Sequence, residues 1–237
     1  MNLSDALKNL KEFFLEFLGY FLPGFTFIFL LCILFKEDVI HSFYQSIQNS
    51  GIDTNFAFVF LSYILGYIIY GINIYTNELI ENIGKWLPFL KKHIGISKNE
   101  IIKKIMESFE YNATKEIVNN KFGKDSIDLG FSGYRNYAMS VIGGDKVQTI
   151  YTFMFRADLC SHLMIICRII GSLGLISSLL FLFNCENDYI NNSKGHTILF
   201  ITLIFVSFFL KKTSTRFLSI ALRICFPMFL SKIYFDK

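Results

Sequence analysis

The sequence predicts an all-α protein that crosses a membrane four times and carries a helical insert between its second and third spans. Four stretches without a charged residue support this fold class: 17–35, 54–77, 169–185 and 196–210. A helix needs roughly 20 mostly apolar residues to cross a bilayer core about 30 Å thick, and observed spans have about 17 to 25 residues. The first three stretches fall within these lengths. The fourth is shorter but is dominated by Ile, Leu, Phe and Val. The 28 Phe residues and a mean hydropathy of +0.44 agree, because a soluble domain of 237 residues has too small an interior for so much aromatic surface.

Basic residues are concentrated on one side of the predicted spans. Segments 1–16, 78–160 and 211–237 contain 2, 12 and 6 Lys or Arg residues, whereas the loops 36–53 and 186–195 contain one each. Segments rich in Lys and Arg stay in the cytoplasm, so both termini and the insert are expected inside. The net charge of +4 is modest, so direct nucleic-acid binding is not expected and the lipid bilayer is the predicted partner.

The chain is predicted to begin with an amphipathic helix. Apolar residues recur at helical spacing up to the first span: Leu3, Ala6, Leu7, Leu10, Phe13, Phe14 and Phe17. This helix either lies on the inner face of the membrane or packs against the insert.

The predicted chain divides into three regions. Residues 1–77 hold the interfacial helix and the first two spans, residues 78–160 form the cytoplasmic helical insert, and residues 161–237 hold spans three and four with an interfacial tail.

The insert is predicted to run directly into the third span. Ser97 and Glu100 form a capping box ahead of an apolar stripe, which is typical of a helix start. Asp145 follows two glycines and is placed to cap one long helix that extends to about residue 184. In the tail, residues 216–230 combine a polar stripe with Phe and Leu, which predicts an interfacial helix on the inner leaflet.

Small residues mark two faces where helices are expected to pack closely. Gly171, Gly174 and Ser178 share one face of the third span, and Ser62 and Gly66 form a similar step in the second. The pattern leaves open whether the partner helix belongs to the same chain or to another subunit. A homo-oligomer is the expected assembly.

Polar residues form a further pattern in the second span, which we call the tyrosine seam: Tyr63, Tyr67 and Tyr70, with Asn73 nearby. They predict either a hydroxyl-lined wet path or a packed contact whose hydroxyls find partners in the protein. The packed contact is favoured, because ion-coupled transporters usually carry an ionisable relay at membrane depth and the uncharged runs contain no acidic residue.

One pair of residues is a candidate for catalysis. Arg156 and His162 match the R-x(4-6)-H spacing of HEPN-type ribonucleases, in which Arg and His from two subunits converge on RNA. The spacing arises often by chance, and residues six apart lie on different faces of a helix. Because both lie where a helix enters the membrane, an interfacial role is favoured and no enzyme activity is predicted.

Five cysteines without a C-x-x-C pair predict no metal site, and no cofactor motif occurs.

The order of these features resembles small four-span membrane proteins of bacterial antiphage defence loci. The strings FLPGF in the first span, SYILGYIIYGI in the second and FMFRADLCSHLM at the start of the third carry the resemblance, together with the amphipathic start and the insert. The membrane subunit of the Kiwa system and the four-span accessory protein of type VI-B CRISPR systems are of this kind. The resemblance implies a defence function in which an oligomer in the bacterial inner membrane senses phage-induced stress, recruits a cytoplasmic partner or permeabilises the membrane. A small channel or transporter and a membrane-tethered HEPN-like ribonuclease are the alternatives.

Overall fold

The fold is helical throughout the described part of the chain. The computed structural model describes residues 3–86, 98–122, 129–183, 189–190 and 194–235. The helices are α1 (Leu3–Leu34), α2 (Glu37–Asn49), α3 (Thr54–Trp86), α4 (Lys98–Met106), α5 (Phe109–Phe122), α6 (Gly130–Ile142), α7 (Gly144–Leu182), α8 (Lys194–Arg223) and α9 (Cys225–Phe235). Within these residues, strand-type pairing is limited to an isolated bridge between Phe35 and Ile190. The predicted all-α fold class is therefore confirmed.

Four helices in the described part of the chain are long and apolar enough to cross a membrane, as predicted. The qualifying segments are Phe13–Leu34, Thr54–Tyr75, Gly144–Phe181 and Gly195–Phe235. The last begins in α8, which continues past the predicted span end at residue 210, so that Lys211 and Lys212 lie inside the helix. The chain is a multi-pass membrane protein by the length and composition of these helices.

Helix α7 confirms the prediction of one long helix that includes the third span. It has 39 residues, which corresponds to about 58 Å at the rise of an α-helix. Asp145 lies in its first turn, where a carboxylate stabilises the positive end of the helix dipole. Gly143, with φ of 96°, separates α6 from α7 in a conformation that glycine adopts at little cost. The predicted cap Ser97 lies outside the described residues, whereas Glu100 lies in the first turn of α4.

Residues 36–53, predicted as a loop, contain the helix α2. Its first turn carries Glu37 and Asp38, which favour a helix N-terminus. Backbone hydrogen bonds also fix its start, since the N–H of Lys36 donates to the carbonyl of Tyr189 at 2.9 Å. None of the residues of α2 is buried.

The chain divides into two compact units. The membrane unit comprises Met1–Ile80 and Asp158–Lys212, and the insert unit comprises Glu81–Ala157 and Thr213–Lys237. Helices α3, α7 and α8 therefore supply residues to both units.

The insert unit has an aromatic core of its own. Tyr111 meets Phe226 edge to face, with ring centroids 5.3 Å apart, and Phe226 also contacts Phe131 at 5.8 Å. The buried Tyr134 hydroxyl donates a hydrogen bond of 2.9 Å to Asn119 Oδ1, so its polar atom is satisfied. Such edge-to-face pairs contribute about 0.5–1.5 kcal/mol each beyond the area they bury. These contacts make the insert a folded body.

The tail differs from its prediction. Residues 216–230 were expected on the inner leaflet, as part of region 161–237. In the structure Phe226 and Phe229 of α9 are completely buried among the insert helices. Lys232 Nζ donates to the carbonyls of Val141 and Ile142, at 2.7 and 3.2 Å, and so satisfies the end of α6. The tail packs on protein because the insert offers it an aromatic surface and free helix-end carbonyls.

Candidate functional site in the membrane unit

Helices α1 and α3 meet backbone to backbone where their side chains are small. A Cβ atom added to Gly24 would overlap the carbonyl of Ser62, and one added to Gly66 would overlap the carbonyl of Tyr20. The predicted step of Ser62 and Gly66 thus packs against α1 of the same chain. Small residues permit this approach, and van der Waals contact then stabilises the helix pair in lipid.

Tyr20 of α1 lies among the three residues of the tyrosine seam. Its ring stacks on Tyr67, with centroids 4.4 Å apart. It meets Tyr63 and Tyr70 edge to face at 5.9 and 5.7 Å. The seam is therefore a packed contact between α1 and α3 in this structure, although the Tyr67 side chain remains 53% exposed at the surface of the unit.

His162 of α7 is buried beside the seam. Its side chain is 3% exposed, and its ring meets Tyr70 edge to face with centroids 5.4 Å apart. Neither ring nitrogen has a hydrogen-bond partner among the described residues. A buried polar group without a hydrogen-bond partner costs about 1–3 kcal/mol of folding free energy. A polar ligand or a water that reached His162 would supply the missing hydrogen bond.

A polar pair flanks His162. The Ser161 hydroxyl donates a hydrogen bond of 3.1 Å to Asn73 Oδ1, and Asn73 is buried. Asn73 lies three residues after Tyr70, on the same face of α3. We call the whole set the polar site: Tyr20, Tyr63, Tyr67, Tyr70, Asn73, Ser161 and His162. Hydroxyl, amide and imidazole groups can bind a polar molecule by hydrogen bonds. Within the described ranges, no group of three His, Cys, Asp or Glu residues could hold a metal ion.

An apolar cluster forms the other packed centre of the membrane unit. Its buried members are Leu30, Leu34, Ile69, Ile166, Ile170 and Phe200. They come from α1, α3, α7 and α8, so all four predicted spans contribute to one core. This cluster holds together the helices that carry the polar site.

The second small-residue face also packs within the chain. A Cβ added to Gly174 would overlap the ring of Phe200 in α8, and one added to Gly171 would lie 2.9 Å from Ile204 Cδ1. Ser178 donates to the carbonyl of Gly174 at 2.9 Å and accepts a 3.1 Å hydrogen bond from Thr197. The structure thus assigns Gly171, Gly174 and Ser178 to the contact between α7 and α8.

The two HEPN-type candidates have different surroundings. Arg156 belongs to the insert unit, where its exposed guanidinium lies 5.8 and 5.9 Å from the ring centroids of Phe153 and Phe217. Such cation–π contacts are worth about 0.5–1 kcal/mol at exposed sites. His162 belongs to the membrane unit and contacts Tyr70 instead. The geometry gives each residue a packing role of its own.

Sequence reasoning missed Tyr20 and Ser161 as members of the polar site. Tyr20 is the one tyrosine in the first uncharged run and precedes Gly24 by one helical turn, which is a usable signal. Ser161 gives no signal of its own, because a lone serine in a helix usually bonds to its own backbone.

Comparison of the chain with protein-family models, with curated proteins and with solved structures finds no match.

Proposed function

We propose that this protein is a non-enzymatic sensor or effector in the bacterial inner membrane, acting in antiphage defence as a homo-oligomer that works with a cytoplasmic partner or perturbs the membrane. The observation that carries the proposal is the sharing of α7 and α8 between the two units. A helix that packs in a membrane unit and also in a folded insert can pass a change in one unit to the other, provided that both units bias its arrangement.

Exposed apolar side chains on the insert unit favour a protein partner. Phe109 is 79% exposed and Phe122 is 57% exposed, at the two ends of α5. Leu129, which precedes α6, is exposed as well. Large apolar side chains in contact with water are candidates for burial against a partner.

The ribonuclease alternative has less support. General acid–base chemistry on RNA requires His162 to come within hydrogen-bond reach of a ribose hydroxyl. Its imidazole is buried behind Tyr70, and the guanidinium of Arg156 is already held over two Phe rings. The role of His162 would need the surrounding helices to move.

A small channel or transporter is the second candidate, and the polar site is the observation that favours it. Tyrosine hydroxyls and a buried imidazole are suited to lining a path for water or ions. Ile166, Ile170 and Phe200 are buried against one another in the apolar cluster, so a path through it would require this core to open.

The proposal is tested in bacterial cells that carry the chain with its genomic neighbours. We expect phage plating efficiency to fall when the locus is intact and to recover when the chain is deleted, with dye entry into infected cells reporting any membrane damage. The double variant Phe109→Ser/Phe122→Ser should lose protection, whereas Phe235→Ser, which changes an equally exposed ring on α9, should retain it.

Two results would contradict the proposal. Equal protection with and without the chain would remove it from defence. Ion-selective flux without dye leakage, through vesicles that contain the purified chain alone, would make it a channel.

A further inference from the structure

Helix α2 divides its side chains sharply between two faces. At about 100° per residue, its apolar residues fall within a sector of about 140°. That sector consists of Val39, Ile40, Phe43, Tyr44 and Ile47. The remaining positions hold Glu, Asp, His, Ser, Gln and Asn, and none of them interrupts the apolar sector. This is the pattern of a helix that lies at a boundary between an apolar and an aqueous phase.

The described residues cover the apolar face of α2 only in part. Phe43 is 59% exposed and Tyr44 is 44% exposed, Val39, Ile40 and Ile47 are half-buried, and no residue of the helix is fully buried. A helix of 13 residues is too short to be stable on its own in water, so its apolar face needs a partner.

The connections of α2 decide which partner this is. Residues 35–36 join it to α1 and residues 50–53 join it to α3, and both of these helices are candidate spans. At about 3.3–3.6 Å per residue, such linkers hold the helix within about 14 Å of the ends of two membrane helices. The hydrogen bond from Lys36 to Tyr189 ties its start to the segment between α7 and α8, which are also candidate spans.

We infer that α2 lies in the headgroup region of the bilayer, with Phe43 and Ile47 inserted into the acyl boundary and its polar face in water. Aromatic residues such as Phe43 and Tyr44 are suited to this depth. The helix contains Glu37 and Asp38 but no Lys or Arg, so insertion depends on apolar burial and not on attraction to anionic lipid. The occupant of this face is therefore a zwitterionic lipid surface.

Tryptophan placed on each face of α2 tests the inference in the full chain, reconstituted in phosphatidylcholine vesicles. Trp86 is the single native tryptophan, so Trp86→Phe provides a background in which only the new residue reports. Brominated lipid should quench the fluorescence of Phe43→Trp at least about twofold more than that of the matched Gln45→Trp. The reason is that only the ring at position 43 enters the acyl boundary. Iodide in the buffer should show the reverse order. Neither order should change when anionic lipid or salt is added.

Ile47→Trp repeats the apolar-face measurement in case Phe43→Trp disturbs folding. Each variant is compared only if its melting temperature equals that of the Trp86→Phe background. Equal access of iodide to both faces would overturn the inference by placing α2 in water. Protection of the Phe43 position from both quenchers would also overturn it, because a second copy or another protein would then cover the face.

Discussion

Gly24 of α1 lies directly against the backbone carbonyl of Ser62 in α3, with no space for a side chain between the two helices. Gly24→Ala is therefore expected to push the helices apart and lower the melting temperature, because overpacking typically costs about 1–3 kcal/mol. The matched control is Gly71→Ala in α3, where nothing lies within 4 Å of an added Cβ. It should hold or raise stability, since alanine is better than glycine in a helix by about 0.5–1 kcal/mol. Thermal unfolding of the full chain in detergent measures both, and equal melting temperatures would contradict the observed crossing.

Gly174 is expected to tolerate no side chain, because Phe200 is completely buried against it. Gly174→Ala should lower the melting temperature, and Gly174→Leu should lower it further. Adding Phe200→Leu to Gly174→Ala should restore part of the loss, since the smaller side chain vacates the space that the ring fills. The exposed neighbour Leu173 provides the control Leu173→Ala, which should change little. If Gly174→Ala instead left stability unchanged and reduced the oligomer mass in detergent, the face would belong to a subunit interface.

The sequence predicted the helices of this protein better than their partners. The step of Ser62 and Gly66 indicates a close contact whatever lies opposite, but the identity of the opposite residue, Gly24, depends on tertiary packing. The tail shows the same limit. Phe226 contributes to the same helical spacing of apolar residues whether its ring faces lipid or packs against Tyr111. His162 was correctly placed in the helix that forms the third span, α7, yet its lack of a hydrogen-bond partner among the described residues is a property of the packed state alone.

Helix α2 was missed for a different reason. Counting charges in residues 36–53 identifies the side of the membrane but ignores the period of Val39, Ile40, Phe43 and Ile47. That period is visible in the sequence and is a sufficient signal for an amphipathic helix.

The predicted topology rests on the distribution of Lys and Arg. A cysteine at Asn120, which is exposed on α5, is expected to resist a membrane-impermeant maleimide in intact cells, whereas a cysteine at Ser46 should react. The neighbouring Asn119 is left unchanged, because its Oδ1 accepts a hydrogen bond from the Tyr134 hydroxyl. Reporter fusions at the C-terminus should report the inside. Reaction at Asn120 in intact cells would reverse the predicted orientation.

Glu110 and Arg223 form an ion pair of 2.7 Å in the insert unit. The pKa of Glu110 lies below its ordinary value of 4.5, mainly because the carboxylate accepts a hydrogen bond from the backbone N–H of Glu110 and, second, because it accepts one from the Arg223 guanidinium. The stabilisation is therefore fully present above about pH 4.5 and is lost as the pH falls through the lower folded-state pKa. The side chains are 25% and 54% exposed, so solvent screening limits the contribution to about 0.2–1 kcal/mol.

The measurement compares thermal unfolding of Glu110→Gln with that of the unaltered chain at several pH values. The difference between them should be present near neutral pH and shrink in acid. Glu107→Gln, a substitution of a nearby exposed carboxylate on the same segment, is the control. A difference that grows as the pH falls would mean that the pair has the opposite linkage.

His162 separates a structural role from a chemical one. Because the ring is buried and both nitrogens lack partners among the described residues, His162→Phe should preserve the packing against Tyr70 and keep or raise the melting temperature, since it removes an unsatisfied polar group. His162→Ala should lower it by leaving a cavity. A scaffold needs only the shape of the ring, so His162→Phe should protect cells against phage as well as the unaltered chain does. A ribonuclease or a proton relay needs the imidazole nitrogens. Loss of protection in His162→Phe, at normal membrane levels and melting temperature, would therefore replace the sensor or effector with a mechanism in which His162 carries the chemistry.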